Sequence, residues 1–129
     1  MKKYFVALTV LVFMAACGGN TEKKAETTAA PAAAATSSLS SNPDYQKGLE
    51  LIAKSDCLTC HKVNEKLTGP AYKDVAAKYE STDANITMLA GKVIKGGSGV
   101  WGAIPMTPHP QVTEADAKQM VKYVLLLRK

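Results

Sequence analysis

The sequence predicts an all-α fold, and three observations carry that expectation. Between Pro43 and Lys129, apolar side chains recur at three- and four-residue spacing in separate stretches, most of them opened by a capping residue or a proline. No stretch alternates apolar and polar residues over a useful strand length. The run that interrupts the helical pattern, Gly96 to Pro110, is rich in glycine and then in proline, a composition that forbids helix.

The chain opens with Lys2 and Lys3 before an apolar stretch from Phe5 to Met14, which reads as an export signal and is too short to span a bilayer. Met14-Ala15-Ala16-Cys17-Gly18 then resembles a bacterial lipobox, in which small residues precede a cysteine that is diacylated and becomes the mature N-terminus; Met14 departs from the leucine preferred there. Residues 1–16 are therefore expected to be a lipoprotein signal peptide, with Cys17 lipidated. The competing expectation is an ordinary signal peptide cleaved near Ala16, which leaves Cys17 as an awkward lone thiol in an oxidising compartment. Residues 17–42 read as the lipidated cysteine and a disordered tether of Ala, Thr, Ser, Lys and Glu without aromatic residues. As a flexible coil of about 25 residues it would reach roughly 25 to 30 Å. A short alanine-rich helix between Ala29 and Ala35 is the alternative, and Pro31 interrupts it.

Residues 43–129 form the one folded domain. A chain of this length buries little apolar surface and gains from a large group packed in its core. Its twelve basic and nine acidic side chains give a small positive excess, without the aromatic-interleaved basic stretch that a nucleic-acid site would show.

Asn42 and Pro43 read as an N-cap and first helical residue, and Tyr45, Leu49, Ile52 and Ala53 as the apolar face of the helix that follows. Gly48 lies within that face. Glycine inside a helix costs roughly 1 kcal/mol, so its presence points to a close crossing by another helix. Pro70 to Tyr79 reads as a short helix with Tyr72, Val75, Ala76 and Tyr79 on one side. Thr82 or Asp83 caps a helix from Ala84 to Lys95, with Ile86, Leu89, Ala90, Val93 and Ile94 inward and Met88 on the polar face. Thr113 with Asp116 resembles a capping box for the final helix, which runs to about Leu127 and turns Ala117, Met120, Val121, Val124 and Leu125 inward.

Between the first two of these helices stands Cys57-Leu58-Thr59-Cys60-His61, the C-x-x-C-H spacing by which haem is attached covalently. Two thiols about one helical turn apart can add to the two vinyl groups along one porphyrin edge, and the adjacent imidazole can reach the iron. Three plainer readings fit less well. A redox C-x-x-C pair wants an alternation of strand and helix that this chain lacks. A zinc site needs four ligands, and beyond the motif only Cys17 and His109 are on offer. A Cys57–Cys60 disulfide would close a very short loop and leave His61 unexplained.

The sixth ligand is sought in the Gly96–Pro110 loop, where Pro105 and Pro108 stiffen the chain around Met106. Met120 reads as core and Met88 as surface, which makes Met106 the axial candidate. The alternative leaves the iron open or ligated by His109.

Together these residues resemble a small bacterial monohaem class I cytochrome c. Beyond Cys57, Cys60 and His61, the likeness rests on Gly69-Pro70-Ala71-Tyr72, Asp74-Val75-Ala76, Gly99-Val100-Trp101-Gly102 and Ile104-Pro105-Met106, and it spans the whole of residues 43–129. It implies four to five short helices wrapped around one haem c, with His61 and Met106 on the iron. It implies that the Pro70 carbonyl accepts the His61 Nδ1 proton, that Trp101 donates to a haem propionate, and that Gly48 and Tyr123 meet where the first and last helices cross. Thr107 and His109 depart from the Pro or Asn that relatives carry after the methionine. The function implied is one-electron transfer between respiratory redox partners at the periplasmic side of a bacterial membrane, by a monomer anchored through lipid at Cys17. A haem subunit of a larger oxidoreductase or peroxidase, and a haem-based ligand sensor, are the alternatives. Lys54, Lys62, Lys66 and Lys95 are candidate docking charges, each equally readable as a solvated lysine.

Overall fold

The computed structural model describes residues 38–128. The expected signal peptide, Cys17 and most of the tether lie outside the described residues. At the tether's end, where no structure was expected, residues 38–40 are helical, and the Ser41 hydroxyl donates to the Ser38 carbonyl at 3.0 Å. From Pro43 the order is α1 (Pro43–Ala53), a 3₁₀ turn (Asp56–Thr59), α2 (Tyr72–Lys78), α3 (Asp83–Lys95), β1 (Gly97–Gly99), β2 (Gly102–Met106) and α4 (Glu114–Leu126).

Helix α1 starts where the sequence places it. The Asn42 side chain accepts from the backbone N–H of Asp44 at 2.8 Å and of Tyr45 at 3.2 Å, with Pro43 in the first turn. Its buried stripe runs through Tyr45, Gly48 and Ile52 rather than through Leu49 and Ala53; Leu49 is 39% exposed and Ala53 lies at the surface. The reason is the partner helix. A Cβ at residue 48 would run into Tyr123 Cβ and the Gln119 carbonyl, so α4 crosses directly over Gly48 and the inner face centres there. Next to the crossing, Gln119 Nε2 donates to the Asp44 carboxylate at 2.9 Å, and Lys122 Nζ lies 3.4 Å from the same oxygen. The Gln119 bond, opposed by partial desolvation and helped by the Lys122 charge, holds the Asp44 carboxyl below its ordinary value. Asp44 therefore stabilises the fold above the ordinary carboxylate pKa of about 4, and that contribution is lost as pH falls through the lowered value.

Helix α2 is shorter than the sequence suggests. Pro70 stays outside it, and Ala71 is the extended cap at φ −61° and ψ 145°. Two carbonyls just after His61 occupy the first-turn donors instead: Tyr72 N–H donates to Lys62 O at 2.9 Å and Lys73 N–H to Val63 O at 3.1 Å. Helix α3 begins at Asp83, and Thr82 is its cap, accepting from Asn85 N–H at 3.3 Å. It ends at Gly96, whose φ of +71° suits glycine and whose Cα faces the Met106 carbonyl too closely for any side chain.

Among the described residues the fold is all-α except for one small ribbon that the sequence reading did not foresee. β1 and β2 pair antiparallel with Gly97 opposite Met106 and Gly99 opposite Gly102. The pairing is made by main chain in a glycine-rich segment, so no side-chain alternation marks it. Helix α4 closes the structure. Thr113 Oγ1 accepts from Asp116 N–H at 3.1 Å and donates to the Asp116 carboxylate at 2.9 Å, because aspartate is too short to reach back to the backbone as the glutamate of a full capping box does. Ala117, Met120, Val121, Val124 and Leu125 are buried as their spacing predicts, and Tyr123 joins them. Met120, Tyr123 and Val124 pack with Ile52, Tyr72 and Ala76, while Ala117, Val121 and Leu125 pack with Ile86 and Ala90. Arg128 Nε donates to the Ala76 carbonyl at 2.9 Å and ties the end of α4 to α2.

Gly48→Ala should lower the unfolding free energy by about 1–3 kcal/mol, since neither the α4 backbone nor Tyr123 Cβ can step aside cheaply. Leu49→Ala should cost under about 1 kcal/mol. Urea denaturation of both variants checks which stripe of α1 faces inward.

Candidate functional site

A cavity of about 370 Å³ lies among the helices and the ribbon. Its walls are mostly apolar, with Ile52, Val75, Leu89, Val93, Val121 and Val124 contributed by the four helices. Cys57, Cys60, His61, Pro70, Trp101 and Met106 all line it. Cys17 lies outside the described residues.

The 3₁₀ turn presents the two cysteines. Both Cys60 N–H, at 3.2 Å, and His61 N–H, at 3.0 Å, donate to the Cys57 carbonyl, which winds the motif tightly enough to turn three reactive side chains toward one space. The thiols are free, Cys57 half-buried and Cys60 exposed. Burial, reinforced by the neighbouring Asp56 charge, pushes the Cys57 thiol up, the opposite of the lowered pKa that an exchanging redox thiol needs.

His61 is fixed on three sides. Its Nδ1 lies 2.8 Å from the Pro70 carbonyl oxygen, which can only accept, so the proton sits on Nδ1 and Nε2 is left with its lone pair. Tyr72 stacks on the ring at 5.3 Å between centroids and 20° between planes. Gly69 lies against the ring itself, where an added Cβ would collide with Cε1, Nδ1 and Nε2 of the imidazole. Burial raises the Tyr72 phenol far above its ordinary value, so this neighbour stays neutral at any physiological pH.

Met106 ends β2 half-buried, its main chain opposite Gly97. Trp101 is 37% exposed, with Lys78 Nζ 5.7 Å from its ring centroid. Met120, read as core, is buried and also touches the cavity. Met88, read as surface, is 39% exposed yet also lines the cavity, because α3 runs along the rim and its polar edge borders the opening. His109 lines the cavity too, with Nε2 3.2 Å from Asp56 Oδ1 and Nδ1 buried without a hydrogen-bond partner. Lys54 pairs with Glu50 and Lys62 with Glu65, while Lys66 and Lys95 are exposed.

These residues fit a haem. An imidazole nitrogen freed for coordination, a thioether sulfur, two free thiols beside them and an apolar lining are the donor set and surroundings that such a group takes. Their positions also show what the residue pattern alone did not single out. Gly69 and Tyr72 belong to the site as the seat of the His61 ring, a role the sequence reading did not give them when it used both as residues of the family likeness and Tyr72 as part of a helix face. Asp56 belongs to it through His109.

The family model for cytochrome c matches residues 45–128. The chain is 48% identical over 83 residues to cytochrome c-552 of Nitrosomonas europaea, a match covering 64% of this chain and 81% of that protein. It is 49% identical over 81 residues to cytochrome c-551 of Ectopseudomonas mendocina, covering 63% of this chain and 98% of that one. The crystal structure of wild-type Nitrosomonas europaea cytochrome c552 superimposes with a TM-score of 0.59 at 49% identity, over 62% of this chain and 99% of that chain.

Gly69→Ala should displace the His61 ring. The expected outcome is a loss of about 1–3 kcal/mol of stability together with shifted His61 ring resonances, read by denaturation and NMR. Unmoved His61 signals would contradict the assigned role of Gly69.

Proposed function

From the premise that this chain belongs to the cytochrome c family and is a one-electron carrier rather than an enzyme, we propose that it is a lipid-anchored periplasmic cytochrome passing electrons between membrane respiratory complexes. The observation that carries the ligation is the shared lining of one apolar cavity by His61, Met106, Cys57 and Cys60. When bound, one haem c supplies an iron that takes up and gives back a single electron.

The chain's residues do the rest. Cys57 and Cys60 would hold the group through thioether bonds. His61, its Nδ1 proton donated to the Pro70 carbonyl, would offer Nε2 to the iron, and Met106 would offer its sulfur. With both side chains on the iron, no place would be left there for substrate or oxygen. Thioether ligation and the apolar walls both disfavour the extra positive charge of the oxidised state and so raise the potential. Trp101 would donate its indole N–H to a haem propionate. Partner proteins dock near Cys57 and Cys60, with Lys66 and Lys95 among the charges that steer them. Lipid at Cys17 keeps the domain at the membrane, and the segment up to Asn42 sets its reach.

Protein made with a c-type maturation system should retain haem stain through denaturing electrophoresis, and the Cys57→Ala, Cys60→Ala double variant should lose it. In the ferric protein a weak near-infrared band should report the bond from iron to thioether sulfur. Met106→Ala should erase that band and lower the reduction potential; a band that survives would remove Met106 from the iron.

The anchor has its own test. Mass spectrometry of the mature protein should find the N-terminal residue to be Cys17 carrying acyl chains. A free Cys17 thiol, or retention of Lys2 and Lys3, would overturn the lipoprotein reading.

A further inference from the structure

His109 is joined to three parts of the molecule at once. Its backbone N–H donates to the Val93 and Ile94 carbonyls of α3, each at 3.1 Å, and its carbonyl accepts from Val112 N–H at 3.0 Å. Its side chain, 12% exposed, places Nε2 3.2 Å from Asp56 Oδ1 at the start of the 3₁₀ turn that carries Cys57. With Nδ1 buried and without a hydrogen-bond partner, Asp56 is the polar contact that fixes the ring. Pro108 and Pro110 flank His109 and restrict its backbone, and only Thr107 and Pro108 separate it from Met106. A movement of His109 therefore carries to Met106 with little slack.

We propose that Asp56 and His109 form a latch tying the Met106 loop to the Cys57 turn, and that this latch sets how readily an outside ligand displaces the Met106 sulfur. The inference rests on the axial ligation proposed above. Without the contact, the Met106 loop is held through β1, Gly96 and the main-chain bonds of His109 to α3, all on the side of the cavity built from α3 and the ribbon. With it, that side is tied to the turn bearing the cysteines. Asp56 and His109 are thus positioning residues: neither need touch the iron, and both act through where Met106 is held. The pairing also turns His109 Nε2 toward a carboxylate, which keeps the imidazole from competing with Met106.

The magnitude is that of an exposed pair, because the Asp56 side chain is 71% accessible. Such pairs are worth under about 1 kcal/mol, so the effect on ligand displacement is about two- to fivefold. The test uses the full-length ferric protein with haem attached, titrated with imidazole and followed by loss of the near-infrared thioether band; cyanide binding rates give a second readout. Asp56→Ala should tighten imidazole binding about two- to fivefold and speed cyanide binding similarly. Asp56→Glu should restore much of the wild-type behaviour. Glu114→Gln, which removes a comparable exposed ion pair with Lys118 at the start of α4, should change neither. His109→Phe, which keeps the ring but has no donor, should match Asp56→Ala, and the double variant should add nothing further.

Wild-type binding in Asp56→Ala, or full additivity in the double variant, would overturn the latch. If His109→Phe does not fold, the Asp56→Ala and Asp56→Glu pair decides by itself. A wild-type protein without the thioether band would overturn the ligation reading and the latch with it, and this is seen before any variant is made.

Discussion

The close crossing of α1 and α4 at Gly48 is the constraint on which the rest of the structure depends. With no Cβ at residue 48, the base of Tyr123 comes close against α1, and from there its ring reaches two others. Its centroid is 4.9 Å from that of Tyr45 and 6.4 Å from that of Tyr72, the latter contact edge-on at 89°. Tyr72 in turn stacks on His61. A missing methyl group between two helices thus sets the imidazole plane through two buried aromatic side chains. The Asp44–Gln119 bond pins the same crossing from the polar side.

The cavity follows from how α4 divides the core. One edge of α4 packs through Met120, Tyr123 and Val124 against α1 and α2, and another through Ala117, Val121 and Leu125 against α3. Neither cluster is large, and the biggest buried side chains among the described residues are Tyr72 and Tyr123. A domain this small stabilises itself poorly with its own side chains alone. Between the two clusters the exposed edges of Val121, Val124, Val93 and Leu89 form an apolar wall, a surface suited to a large flat apolar group that completes the core while being held by it.

The features legible in the sequence were those written in local chemistry. The C-x-x-C-H spacing needs no tertiary information to suggest its cofactor, and the buried face of α4 follows from periodicity because that helix is packed on two sides. The caps at Asn42 and Thr113 are short-range hydrogen bonds between near neighbours. What escaped depends on partners distant in the chain. Leu49 and Ala53 fit a helical stripe as well as Gly48 does, and only the position of α4 decides that the stripe turns through the glycine. Pro70 has the right residue type to begin a helix, but Lys62 and Val63 claim the donors of the first turn and His61 claims its carbonyl. The glycine ribbon leaves no side-chain pattern, and the approach of His109 to Asp56 joins residues more than fifty positions apart.

Met106 and His61 are held by different means. His61 is gripped by its own neighbours: a carbonyl on Nδ1, a stacked tyrosine and a glycine close against the ring. For Met106 the restraint comes through the main chain, from the pairing with Gly97, the close approach to Gly96 and the prolines on either side. A histidine ligand needs its ring plane and tautomer fixed, because coordination uses one nitrogen whose lone pair points in one direction. A methionine sulfur on three rotatable bonds tolerates a wider range of side-chain angles, so restraining its backbone suffices to keep it within reach. That division places the more rigid half of the site beside Cys57 and Cys60 and the more adjustable half on the loop, where a change of side chain leaves the seat of His61 untouched.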